Sequence, residues 1–168
     1  QLVGEGSGVW VGYGGTPAGF ADLTGTQRVL SLSIRAQLLS SFHDGDAIPF
    51  TELIGARRID DSPDGDLLDG FRPGRLLGQS SLFAALEYRW PVWTWVDALL
   101  QTGVGNTFGA HFEDFDPERL RFAFAGGLRS TNHRDHSFNL LLGFGTETFE
   151  QGAAPNSVRF LLGGTVGF

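Results

Sequence analysis

The sequence predicts an all-β fold: a transmembrane antiparallel up-and-down β-barrel of eight strands. Three observations lead there. Apolar residues recur with a two-residue period along most of the chain, and the helical period is nearly absent. The polar partners in that alternation are glycines and single arginines or glutamates, not the Lys/Glu mixture of a solvated face. Aromatic residues collect near strand ends, and the last alternating segment stops on Phe168.

Six strands are legible in order. Over residues 28–39, Leu30, Leu32, Ile34, Ala36 and Leu38 share one face, and Ser31, Ser33, Arg35 and Gln37 the other. Residues 80–90 set Leu82, Ala84, Leu86, Tyr88 and Trp90 against Ser81, Glu87 and Arg89. Residues 92–108 carry Val96, Ala98, Leu100, Val104 and Phe108 on the apolar side. Residues 119–130 oppose Leu120, Phe122, Phe124 and Leu128 to Arg119, Arg121 and Arg129. Residues 136–147 oppose Phe138, Leu140, Leu142 and Phe144 to Asn139, Gly143, Gly145 and Glu147. Residues 157–168 oppose Val158, Phe160, Leu162, Val166 and Phe168 to Ser157, Arg159, Gly163 and Thr165. Val3, Val9, Val11 and Tyr13 alternate with glycines and suggest a seventh strand, and residues 17–23 a short eighth. An even count suits a single-chain bacterial barrel. Turn signals separate these strands at Asp44-Gly45, 109–117, Asn132 to Asp135 and Gly152 to Asn156. Residues 43–78 form one long connection of extracellular type, within a single domain of 168 residues.

Period two fits two architectures of opposite polarity. A soluble sandwich or lipocalin-like barrel turns its apolar face inward. A membrane barrel turns it to lipid and keeps small and polar residues inside. Glycine-rich polar faces suit a narrow interior. Tyr88, Trp90, Trp93, Trp95, Phe108 and Phe168 suit an interfacial girdle. Gly164, Val166 and Phe168 fit the terminal signal of outer-membrane barrels (glycine, any residue, apolar, any residue, aromatic), with Gly163 where a polar residue usually stands. The bacterial outer membrane is therefore the expected location, with membrane lipids and the outer-membrane assembly machinery as partners. In lipid every strand edge must be paired, which is the reason to expect closure.

Composition narrows the classes further. All twelve basic residues are arginine, against nineteen carboxylates, for a net charge of −7. No basic stripe exists to displace counterions from a nucleic-acid backbone, so no nucleic-acid partner is expected. Cysteine is absent, which removes disulfides and thiolate metal sites. No run of about 18 apolar residues encodes a transmembrane helix. Gln1 in place of Met points to a processed or engineered start.

An ordered series of motifs adds to this. R-V-L-S-L-S-I-R-A-Q (28–37) is followed by I-P-F-T-E-L (48–53), then L-D-G-F-R-P-G-R-L-L-G (68–78) and L-E-Y-R-W-P (86–91). V-D-A-L-L-Q-T-G-V-G-N-T-F (96–108), G-G-L-R (126–129) and the terminal Phe complete it. From residue 27 to 168 this resembles the C-terminal half of the barrel in the BamA/TamA superfamily of outer-membrane assembly and transport proteins. The family has periplasmic POTRA domains and about sixteen strands, so the resemblance implies either a fragment or a naturally short, porin-like member without those domains. It also implies that Leu68, Asp69, Gly70 and Phe71 stand where the family has a Val-Arg-Gly-Phe type loop motif. That family's loop folds back into a wide barrel, and its arginine is gripped by acids on the next two strands. Here Asp69 replaces the arginine, Glu87 keeps the first acid and Gly103 replaces the second, with Arg72 or Arg75 near enough to substitute. The implied consequence is a released loop, lying over the mouth or at a subunit contact. Barrel-only relatives further imply a homo-oligomer that encloses lipid.

An eight-stranded barrel has an interior that side chains fill. Arg35, Arg89, Arg121, Arg129 and Arg159 are expected to meet Glu87 and Glu147 there, as a packed charge network and not a conduit. Other candidate chemistry is sparse. Asp61, Asp64 and Asp66 in D-D-S-P-D-G-D lack the spacing and terminal Glu of a calcium loop. His133, Asp135 and His136 sit in a short turn, and His43 and His111 fall in connections, so no metal or other cofactor is expected. No Ser/His/Asp constellation is supported, and Gly143-Phe144-Gly145 precedes no helix, so it is no nucleotide fingerprint. The expected function is thus non-enzymatic: a porin-like, homo-oligomeric outer-membrane barrel. A module of an assembly or secretion machine is the alternative, and an outer-membrane hydrolase the third.

Overall fold

A computed structural model describes residues 9–23, 25–42, 48–55, 68, 70–72, 74–130 and 136–166. The strands are β1 (Trp10–Gly15), β2 (Ala18–Asp22), β3 (Val29–Ser41), β4 (Ile54–Gly55), β5 (Leu77–Gly78), β6 (Ser80–Trp93), β7 (Val96–Phe108), β8 (Arg121–Ser130), β9 (His136–Thr148) and β10 (Pro155–Val166). Eight of them form one antiparallel sheet in the order β1-β3-β6-β7-β8-β9-β10, with β2 also on β3. The other two, β4 and β5, pair with each other.

The six legible strands are all present. Their boundaries differ where local chemistry ends the ladder. Residues 92–93 close β6, not β7: Trp93 pairs with Val96 across a Thr94-Trp95 turn, after a register shift beyond Pro91. β8 starts at Arg121 because Pro117–Arg119 turns as a 3-10 helix, with the Asp116 carboxylate accepting from the Glu118 amide. β10 begins at Pro155, after Gly152 and Ala153 turn the chain with positive φ.

The expected seventh and eighth strands are one line. Trp10 pairs with Ser41 and Gly15 with Ala36, and the same register continues from Ala18↔Ser33 to Asp22↔Val29. Across the gap, the Pro17 carbonyl accepts from the Ile34 amide. The sheet thus has eight strand segments on seven lines. An up-and-down order on seven lines leaves the β1–β2 line and β10 running the same way. Their direct union would be parallel, so the all-antiparallel closure expected from eight lines is not met. Among the described residues, β10 pairs with β9 alone.

Register sorts the side chains into rungs. One inner rung reads Ser33, Ala85, Gly103, Ala123, Gly145, Ser157; the next reads Ser31, Glu87, Gln101, Ala125, Gly143, Arg159. A third carries Val29, Arg89, Leu99, Gly127, Leu141 and Leu161, where Leu99, Ala125 and Leu141 form a buried cluster with Leu161 against it. On the opposite face Leu32, Ile34, Leu86, Leu100, Phe122, Phe124, Leu128, Leu142, Phe144, Val158, Phe160 and Leu162 are all exposed. The polarity is therefore inverted relative to a soluble β-domain: the small and polar face is covered and the large apolar face is bare. Ala98 and Phe108 depart from this pattern and are buried.

Candidate functional site: the filled inner face

The connection between β3 and β6, in its described parts, covers part of the inner face. It closes on itself through the β4–β5 pair and returns to the sheet at Gln79, whose amide donates to Phe108 and whose carbonyl accepts from Leu39. Between these lies the loop motif. Leu68 is 0% and Phe71 2% exposed. Both join Leu76, Phe83 and Ala85 of β6 and Ala123 of β8 in one buried cluster. The Phe71 amide closes a turn onto the Leu68 carbonyl.

The small rung makes this possible. A Cβ on Gly145 would stand 2.6 Å from the Phe71 ring, and one on Gly70 would meet the Phe144 carbonyl. Ala85, Gly103, Ala123 and Gly145 lie side by side in register and are buried. They form a floor low enough for an aromatic ring to lie on the sheet. Gly103, which stands where the resemblance leads one to look for an acid, belongs to this floor.

The expectation of a released loop over the mouth therefore does not hold for Leu68, Gly70 and Phe71. Apolar burial and the fit to the small floor draw them inside. Asp69 lies outside the described residues. Arg72 and Arg75 are both exposed, and Arg75 bends back: its Cζ lies 6.0 Å from the Phe71 ring centroid, and its Nη2 donates to Asn156 Oδ1 at 3.2 Å.

The expected charge network is divided among several partners. Arg89 Nη2 lies 2.9 Å from Glu87 Oε1, two residues away on the same face of β6. Glu147 accepts from Asn156 Nδ2 at 3.4 Å and so connects to Arg75 through that amide. Arg35, 2% exposed, donates from Nε to Thr16 Oγ1 at 3.2 Å. Arg121 donates to the Thr146 carbonyl, and its Nε is buried without a partner. Arg159 Nη1 donates to the Phe71 carbonyl at 3.2 Å. Arg129 is half-buried and stands opposite Asp97 in register. Asp97, Asn156 and Thr16 were missed in the sequence because none follows from its own strand's alternation. Of the terminal signal, the Gly164 and Val166 backbones continue β10 against Phe138 and His136, and Phe168 lies outside the described residues.

Two further features come from the fold. Phe108, Phe112 and Phe115 form an aromatic cluster beyond β7, with centroids 5.3 to 6.5 Å apart. Ser40 Oγ and His111 Nε2 share a 3.3 Å hydrogen bond across 71 residues. No carboxylate orients that imidazole among the described residues, so the pair is not a triad. Asp61, Asp64, Asp66, His43, His133 and Asp135 lie outside the described residues. Among the described residues no group of three or more acidic, His or Cys side chains could hold a metal.

No protein-family model, no curated protein and no solved structure matches the chain.

Proposed function

We propose that the chain is a non-enzymatic, porin-like wall of a bacterial outer-membrane β-barrel, of the kind the BamA/TamA superfamily builds, with a filled interior and a homo-oligomeric state. The observation that carries this reading is the inverted polarity of the sheet. A field of exposed Leu, Ile, Val and Phe covers one face, while Ser33, Arg35, Gln101, Gly103, Gly145 and Ser157 are buried on the other. Water penalises that arrangement by roughly 25 cal/mol per Å² of exposed apolar surface, and lipid does not. The height fits as well. From Leu82 to Trp90 the outer face of β6 runs eight residue steps, about 27 Å along the strand or about 20 Å at a typical barrel tilt. Stacked Tyr88 and Trp90 mark one end of that band, and the Phe108 cluster lies toward the other. The inner face is packed by the loop, which supports a structural interior over an open conduit. Refolding into lipid vesicles tests the reading. The expected result is a heat-modifiable band on electrophoresis, protease protection, and dimers or larger rings by native mass spectrometry in mild detergent. A protein that stays monodisperse in buffer and ignores vesicles overturns the membrane reading. A monomer in detergent overturns the oligomer.

One observation favours the second reading, a module of an assembly or secretion machine. Both sheet edges, β1–β2 and β10, present backbone groups without a strand partner among the described residues. Such edges accept extended polypeptide. Cysteines joining the two edges should then abolish activity, and unchanged function rejects this reading.

A further inference from the structure

We infer that Leu68, Phe71, Arg75 and Leu76 of the connection between β3 and β6 form a latch that fastens the edge strand β10 to the body of the sheet. The argument starts from the weakness of β10. Among the described residues it has one neighbour, β9, and its outward Val158, Phe160 and Leu162 are 56%, 65% and 73% exposed. An edge strand held by a single ladder frays readily. The latch supplies the second attachment from the inner side. Arg159, on the inner face of β10, donates to the Phe71 carbonyl, and Arg75 donates to Asn156 at the start of β10. The segment is itself anchored far from that edge, because Leu68 and Phe71 pack with Phe83 and Ala85 of β6 and with Ala123 of β8. One short stretch thus ties β6 and β8 to the last line of the sheet.

The fit leaves two discrete states. With Phe71 seated on Gly145, Arg159 has the Phe71 carbonyl in reach and β10 is held on two sides. With Phe71 withdrawn, that carbonyl leaves with it and β10 keeps its ladder to β9. A partly seated ring is disfavoured, since Gly70 and Gly145 already stand at closest approach to their neighbours. The device is indifferent to whether the outer face meets lipid or detergent, so it stands apart from the proposed function.

Amide hydrogen exchange of the full chain in detergent micelles tests it, on Gly145→Ala, which pushes the ring out, and Arg159→Gln, which removes the donor and leaves the packing. Both variants are expected to speed exchange along β10 by about tenfold or more, with β6 and β7 within about twofold of the parent. Equal acceleration in all strands, or β10 unchanged in Arg159→Gln, overturns the latch. Should Gly145→Ala fail to fold, Arg159→Gln alone decides, because it introduces no clash.

Discussion

Arg159 and Phe71 are separated by 88 positions in sequence, and the Arg159 guanidinium donates to the Phe71 carbonyl at 3.2 Å. The guanidinium belongs to the strand and the acceptor to the loop. A backbone carbonyl makes a durable acceptor here, because it does not depend on which side chain the loop carries. The loop's hold rests on a buried aromatic ring, a floor of glycine and alanine, and a main-chain oxygen.

Phe71→Ala should be the most damaging single truncation in the loop. The ring is buried among Leu68, Leu76, Phe83, Ala85 and Ala123, on a sheet that cannot collapse into the space it leaves. The expected loss is about 3–5 kcal/mol. Urea unfolding from lipid vesicles, followed by tryptophan fluorescence, measures it. A loss below about 1 kcal/mol means the loop is not seated in solution as described.

Gly145→Ala should cost about 1–3 kcal/mol in the parent, because its Cβ would stand 2.6 Å from the Phe71 ring. In a Phe71→Ala background the same change meets open space and should cost little. The double-mutant cycle is therefore expected to show a coupling of about 1 kcal/mol or more, with the pair less harmful than the sum. Additive losses would show that the ring does not lie on Gly145.

The contrast between strands and loop explains how much the sequence disclosed. Alternation is written residue by residue, so β9 could be read from Phe138, Leu140, Leu142 and Phe144 alone. The inverted polarity was also legible, because glycines such as Gly103 and single arginines such as Arg35 stand where a solvated face carries a Lys/Glu mixture. The single β1–β2 line was not, since Thr16-Pro17 breaks the donor pattern and mimics a turn, while register with β3 carries through. The loop's place was hidden for a different reason. A glycine such as Gly103 or Gly145 records that something approaches closely without recording what, and here the visitor is Phe71.

Asp114→Ala should loosen the β7–β8 connection and leave the sheet intact. The carboxylate accepts from the Gly109 amide at 2.7 Å and pairs with Arg119 at 3.0 Å. Both side chains are about half exposed, so the ion pair contributes little, and the backbone hydrogen bond dominates a loss of about 1 kcal/mol. Faster exchange confined to residues 109–119 is the expected signature, and acceleration along β8 would contradict it.

Leu142→Arg separates the two polarities of the sheet. Leu142 is 43% exposed on the outer face, flanked in register by Gly126 and Phe160. In water, an arginine at such a site costs within about 0.5 kcal/mol, as most surface changes do. Against hydrocarbon, the same arginine costs about 2–4 kcal/mol near the bilayer midplane, and less toward the interfaces. Arg substitutions at Phe124, Leu142 and Phe160 should therefore all be costly, while Glu113→Arg, at an exposed position in the connection after β7, should be nearly silent. The depth profile is what matters, since a soluble fold would show no graded penalty along the outer face. Unfolding free energies from vesicles across this series decide between lipid and water as the medium this face meets.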